Sequence, residues 1–183
     1  MGILREIAGY GRLLHENKFV IGAGGNISAR DASAIVIKKK GADMSLGRAR
    51  DYVRLPFSEA EKGGDMLSSE TPLHIACYNA RDDIGAVVHV HSPYIVAAAG
   101  RIDILGSVSY EFDCILQKAV PVIEYIQPGS FELAAAVAEK IKQGAGAVLM
   151  RRHGAIAVGK DLKEAYLRTL ALERACVTFL HST

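Results

Sequence analysis

Residues 68–93 run SSETPLHIACYNARDDIGAVVHVHSP, and the fold turns on how this stretch is read. Ala86–His91 is apolar and β-branched apart from its two histidines, the composition of a buried strand. Strand side chains alternate between faces, so His89 and His91 project to the same side. Ser92-Pro93 then supplies an N-cap residue and a proline at the first helical position. Upstream, Ser68-Ser69-Glu70-Thr71-Pro72 opens a helix to about Arg81, with Leu73, Ile75, Ala76, Cys77, Tyr78 and Ala80 as its buried residues. The unit is helix, strand, helix, with two imidazoles where the strand ends. H-x-H on a strand offers two nitrogens to a metal ion, and two ordinary histidines near a core fit the same residues. Locally, Glu70 needs no more explanation than a carboxylate favouring the helix dipole.

Toward the N-terminus, residues 2–17 predict a helix, with Ile3, Ile7, Tyr10, Leu13 and Leu14 at helical spacing. Gly22, Gly24 and Gly25 then mark a loop running to about Arg30, which fits either a plain turn or an anion cradle of backbone N–H groups. It is not G-x-G-x-x-G after a strand, which argues against a dinucleotide site. Ala34–Lys38 reads as a short strand. Lys38-Lys39-Lys40-Gly41 reads first as a solvated basic turn and second as a phosphate-facing one. Residues 42–67 predict loops and short strands, one of them at Tyr52–Leu55.

Toward the C-terminus, Pro93–Ala99 predicts a short helix. Ile102–Leu105 and Val120–Ile123 predict strands, with Tyr110 in a polar turn between them. Phe131–Lys142 predicts a helix, Ala145–Met150 and Ala155–Val158 strands, and Lys163–His181 a closing helix. Helices and strands interleave without a clean βαβ series. The expected class is therefore α/β or α+β, a mixed, largely antiparallel sheet between helices, in one domain spanning 1–183. His15, His74 and His181 fall on helix patterns and carry no assigned chemistry.

Bulk properties exclude several function classes. With 22 Lys and Arg against 20 Asp and Glu, the net charge of +2 gives no ground for nucleic-acid or membrane-surface binding. No apolar run approaches the ~20 residues that span a bilayer, and the charged, amphipathic N-terminus is unlike a signal peptide. Three scattered cysteines, Cys77, Cys114 and Cys176, fit a reducing compartment rather than a disulfide framework. The expectation is a cytoplasmic protein.

A third imidazole, His153, stands in the turn Arg151-Arg152-His153-Gly154 between two buried strands. Three histidines with one open position are a usual arrangement for catalytic zinc. Glu70 is then open to a role as fourth ligand, proton-transfer group, or each in turn. Four segments, Gly24-Gly25-Asn26-Ile27-Ser28, Ser68-Ser69-Glu70, His89-Val90-His91-Ser92 and His153-Gly154, resemble in order and spacing the motifs of the class II aldolase/adducin family, most closely its fuculose-1-phosphate aldolase-like members. The resemblance covers nearly the whole chain. It implies a three-layer α/β/α sandwich, a C4 homotetramer with active sites at subunit interfaces, and Zn2+ or another divalent ion on His89, His91 and His153, with Glu70 beside them.

The resemblance also implies a reaction. The family's aldolases carry glutamate where its 4-epimerases carry aspartate, and this chain has Glu70. Its SSE pattern departs from that of the dehydratases. The implied activity is cleavage of a ketose or deoxyketose 1-phosphate to dihydroxyacetone phosphate and a small aldehyde. Glu70 would move a C–H proton, and Tyr110 falls where the aldolases carry a tyrosine that serves the aldehyde oxygen. Gly25, Asn26, Gly41, Ser68 and Ser69 would hold the phosphate. Lys40 stands where the family often has threonine or serine, and would either reach the phosphate by charge or signal a different anion. The chain stops soon after its last helix, whereas family aldolases carry a longer tail over a neighbouring site. A decarboxylase on the same residues is the main alternative, followed by epimerase, dehydratase and a non-enzymatic adducin-like domain.

Overall fold

The computed structural model describes residues 2–182. The chain begins with α1 (Ile3–Glu16), whose Ile7 and Leu14 are fully buried. β1 (Asn26–Asp31) and β2 (Ala34–Lys38) form a hairpin. Two 3-10 turns, Met44–Leu46 and Ala49–Asp51, precede β3 (Tyr52–Pro56) and the short α2 (Phe57–Ala60). Then follow α3 (Thr71–Ala80), β4 (Ala86–Val90), α4 (Pro93–Ala99), β5 (Ile104–Leu105), α5 (Tyr110–Ile115), β6 (Val120–Ile123), α6 (Phe131–Lys142), β7 (Ala147–Met150), β8 (Gly154–Gly159) and α7 (Leu162–His181). Side-chain oxygens of Ser130 and Asp161 cap α6 and α7, each such cap contributing about 1 kcal/mol.

The eight strands form one sheet in the order β3-β2-β1-β4-β8-β7-β6-β5. Every neighbouring pair is antiparallel except β6 with β7. Helices cover both faces. Ile95, Phe112, Leu162 and Leu172 build one core with Ile7 and Leu14, beneath α1, α4, α5 and α7. Leu73, Tyr78, Val137 and Ile141 build the other with Ile37 and Val87, beneath α2, α3 and α6. The mixed, mostly antiparallel sheet between helix layers is the expected α/β class.

The expected loop through residues 26–30 is instead β1, a central strand between β2 and β4. Its sequence, NISARD, hides the strand because polar residues occupy its α3 face. There Ser28 is fully buried, with its Oγ 2.7 Å from His74 Nδ1 and 2.8 Å from Tyr78 Oη. These partners satisfy groups that an apolar strand would not carry. The helix at Ser68 begins later than expected. Glu70 holds its N-cap position without a side-chain cap bond, and Ser68 Oγ accepts the Glu70 N–H at 3.3 Å. Tyr110 opens α5 rather than lying in a turn, because the Ser109 side chain caps that helix.

Burial depresses the pKa of His74 to about 3. The unfolded chain binds that proton near pH 6.5 and the folded one does not. Folding stability therefore falls as pH drops below about 6.5, by roughly 2 kcal/mol at pH 5 from this residue alone. Urea midpoints of metal-free protein at pH 7 and pH 5 measure it. His74→Gln should show a shallower loss than the parent, and an equal loss would place the effect elsewhere.

Candidate metal centre

His89 lies one residue from the end of β4, fully buried. Its register partner across the sheet is Asn26 on β1. Its Nδ1 donates to the Ala155 carbonyl on β8 at 2.9 Å, which leaves the Nε2 lone pair free. His91, two residues on, brings its Nε2 to 2.9 Å from His89 Nε2. Their side chains share a face, as strand alternation requires. His91 opens to solvent on one side. His153 is set by the tight β7–β8 turn, and its neighbour Gly154 permits the approach, since a Cβ there would run into the Val90 carbonyl. One ligand atom from each of the three imidazoles lies within 4.8 Å of the others.

The donor set fits a divalent ion. Metal ligation needs imidazoles with free lone pairs. Burial, then the His91 and His153 rings, hold the His89 pKa well down. Burial, then Lys38, lower that of His91. Burial, then His91, lower that of His153 to about 4. The Nδ1 of His153 is also buried without a hydrogen-bond partner. Glu70 stands outside the three-histidine group. Its side chain is 8% exposed and its Oε2 is unpartnered. Burial raises its pKa, and the backbone N–H of Gly129 works against that.

Beside the histidines, three segments meet at one corner. Asn26 Nδ2 donates to Ser68 Oγ at 3.2 Å. The Lys40 N–H donates to the Met66 carbonyl, and Lys39 bridges to Leu67. Gly25 has φ 62°, and a Cβ there would lie 2.7 Å from the His89 carbonyl, so glycine is required by the close approach to β4. Gly25, Asn26, Lys40, Gly41, Ser68 and Ser69 thus come from adjacent pieces of chain. Tyr110 stands apart. It is 83% exposed on the α7 side of the sheet, where its neighbour Glu111 pairs with Arg174 at 3.6 Å.

Lys38 corrects the solvated reading of the basic run. It is 2% exposed. Its Nζ donates to the Ala23 carbonyl at 2.7 Å and the Ala42 carbonyl at 3.0 Å, which ties the glycine loop to the Gly41 turn. Burial lowers its pKa to about 8, partly offset by Asp43. The ammonium has three N–H groups, and these carbonyls take two of them. Its signal in the sequence was position, at the end of an otherwise apolar strand. Gly129 gave no local signal, because its partner Glu70 is distant in sequence.

Three histidines closing on one point, on a mixed sheet between helix layers, define an α/β fold with a group that could hold a metal ion. Residues 5–180 match the family model described as Class II Aldolase and Adducin N-terminal domain. The chain belongs to the class II aldolase/adducin family. It is 34% identical over 166 residues to an L-fuculose phosphate aldolase of Methanococcus maripaludis, covering 88% of this chain and 87% of that one. It is 30% identical over 177 residues to a 3-oxo-tetronate 4-phosphate decarboxylase of Haemophilus influenzae, covering 92% and 82%. The crystal structure of an L-fuculose-1-phosphate aldolase from Thermus thermophilus superposes with TM-score 0.87 at 26% identity, covering 98% of this chain and 93% of that one.

Proposed function

We propose that this chain is a zinc-dependent aldolase that cleaves a ketose or deoxyketose 1-phosphate to dihydroxyacetone phosphate and a small aldehyde. The observation that carries this reading is the convergence of His89, His91 and His153, with Glu70 buried at the start of α3, where Ser68 bonds Asn26, the register partner of His89. A divalent ion held by the three histidines would act as a Lewis acid toward the ketone and neighbouring hydroxyl oxygens of the substrate. Glu70 exchanges the C–H proton of dihydroxyacetone phosphate. Its raised pKa suits a group that both takes and returns a proton. Glu70 also stays available as a ligand before substrate arrives. Gly25, Asn26, Gly41, Ser68 and Ser69 hold the phosphate through N–H and hydroxyl groups, and Lys38 adds a buried positive charge.

Tyr110, exposed on the α7 side of the sheet, serves the aldehyde oxygen of substrate bound at a neighbouring subunit of a homotetramer. The compartment proposed is the cytoplasm. No helix among the described residues is long and apolar enough to cross a membrane.

The test is dihydroxyacetone phosphate release by zinc-loaded protein from fuculose 1-phosphate, ribulose 1-phosphate and 5-deoxyribulose 1-phosphate, with a chelator control. Chelator-sensitive release supports the aldolase. No release from any of them, with one zinc bound per chain, favours decarboxylation of a phosphorylated oxo-acid, the second reading, which the likeness to a decarboxylase supports.

The two lysines make a paired prediction. Lys38→Met should raise KM for phosphorylated substrates tenfold or more, because a buried cation and its two carbonyl contacts are lost together. Lys40→Ala, at an exposed position, should raise KM by roughly twofold to threefold, in line with an exposed, screened charge. Metal content should stay constant in both. An unchanged KM in Lys38→Met would remove it from the phosphate corner.

A further inference from the structure

The β7–β8 turn that presents His153 carries two arginines with different surroundings. Arg151 donates through Nε to Glu124 at 2.8 Å, through Nη1 to the Ala99 carbonyl at 2.9 Å, and through Nη2 to Asp103. It takes up both of these acidic groups. Arg152 has no carboxylate within ion-pair distance among the described residues, and its guanidinium carbon lies 4.7 Å from the centroid of the Tyr125 ring. A guanidinium held over an aromatic ring keeps its N–H fork open to an acceptor in its own plane. Arg152 also holds φ 57°, a left-handed conformation uncommon for a residue with a side chain. Among the described residues, no hydrogen bond uses the side chain so held.

Sheet order gives this cation a place relative to the site. β1, β2 and the start of α3, which form the Asn26–Ser68 corner, lie on one side of β4. β8, β7 and β6, with Arg152 and Tyr125 beyond their ends, lie on the other. A ligand laid across the histidines with a phosphate at Asn26 and Ser68 therefore directs its far end toward the β7–β8 turn.

We propose that Arg152, stacked on Tyr125, is a specificity-determining residue that binds a carboxylate at the end of the substrate remote from its phosphate. The inference rests on the phosphate corner proposed above, and it refines the substrate class to phosphorylated sugar acids or to donors that release an acidic aldehyde. A carboxylate offers the planar, bidentate acceptor that a guanidinium fork fits, each such hydrogen bond being stronger than a neutral one. A terminal methyl or hydroxymethyl group offers no such match.

The test is calorimetric binding of two ligands to zinc-loaded protein: 4-phospho-D-erythronate, and D-erythritol 4-phosphate, which has a neutral far end. The parent should bind the phosphoerythronate at least tenfold more tightly. Arg152→Ala should lose tenfold or more for that ligand and stay within twofold for the other, and Arg152→Lys should recover part of the loss. Asn26→Ala should weaken both ligands alike, which assigns the phosphate end. Equal affinities in the parent, equal losses in Arg152→Ala, or no binding of either ligand would overturn the proposal. Failure of the aldolase reading is distinct, because it shows as absent dihydroxyacetone phosphate release while the Arg152-dependent difference in binding persists.

Discussion

Glu70→Gln should keep one metal ion per chain and lose turnover by a hundredfold or more. The substitution preserves size and shape in a side chain that is 8% exposed, so packing at the start of α3 is little disturbed. It removes the one property the proposed chemistry requires, a carboxylate that accepts and returns a proton. Positioned acid–base groups contribute about 10²–10⁴ in rate, which sets the expected loss. The three histidines form their group without Glu70, so metal content measured after dialysis should match the parent. The discriminating readout is exchange of the C–H proton of dihydroxyacetone phosphate with deuterated solvent. Exchange should disappear in the variant while dihydroxyacetone phosphate still binds. A variant that exchanges and turns over at the parent's rate would leave Glu70 with only the helix-dipole role that its local sequence allows.

The legibility of this site depended on how far apart its parts lie in the chain. His89 and His91 were readable because strand alternation is a local rule, and the 2.9 Å approach of their Nε2 atoms follows from it. His153 lies sixty-two residues beyond His91, and nothing in their spacing places them together. Their meeting depends on the antiparallel pairing of β4 with β8, a property of the whole sheet. The family resemblance carried that step. β1 is hidden in the sequence because its polar positions bind partners across layers: Ser28 looks like a loop residue until His74 and Tyr78 are placed above it. Lys38 looks like a surface residue for the same reason, since the carbonyls of Ala23 and Ala42 that receive it are supplied by two loops. Apolar periodicity thus outlined most of the elements, while buried polar residues, whose partners are remote, had to await the structure.

His89→Ala should abolish metal binding and activity together, and it carries the largest effect of any single change at the centre. His89 is the fully buried imidazole of the three, and its ring is oriented by the Ala155 carbonyl at 2.9 Å. Such an oriented imidazole presents its second nitrogen without further ordering, which is why the partners of metal-bound histidines matter to affinity. Removing the ring also leaves that carbonyl to find another donor, at a cost of about 1–3 kcal/mol. A fall in stability alone would therefore be ambiguous. His91→Ala resolves it, because His91 faces solvent on one side and, among the described residues, its side chain bonds no backbone acceptor. An ion that binds only the folded state raises stability by roughly 2.7 kcal/mol at a free concentration one hundred times its dissociation constant. The parent should show that rise in melting temperature on zinc addition, and both alanine variants should lose it. The metal-free melting temperature should fall in His89→Ala and stay close to the parent in His91→Ala. Zinc retained at one per chain in His89→Ala would remove it from the ligand set and leave the centre to be rebuilt around His91 and His153.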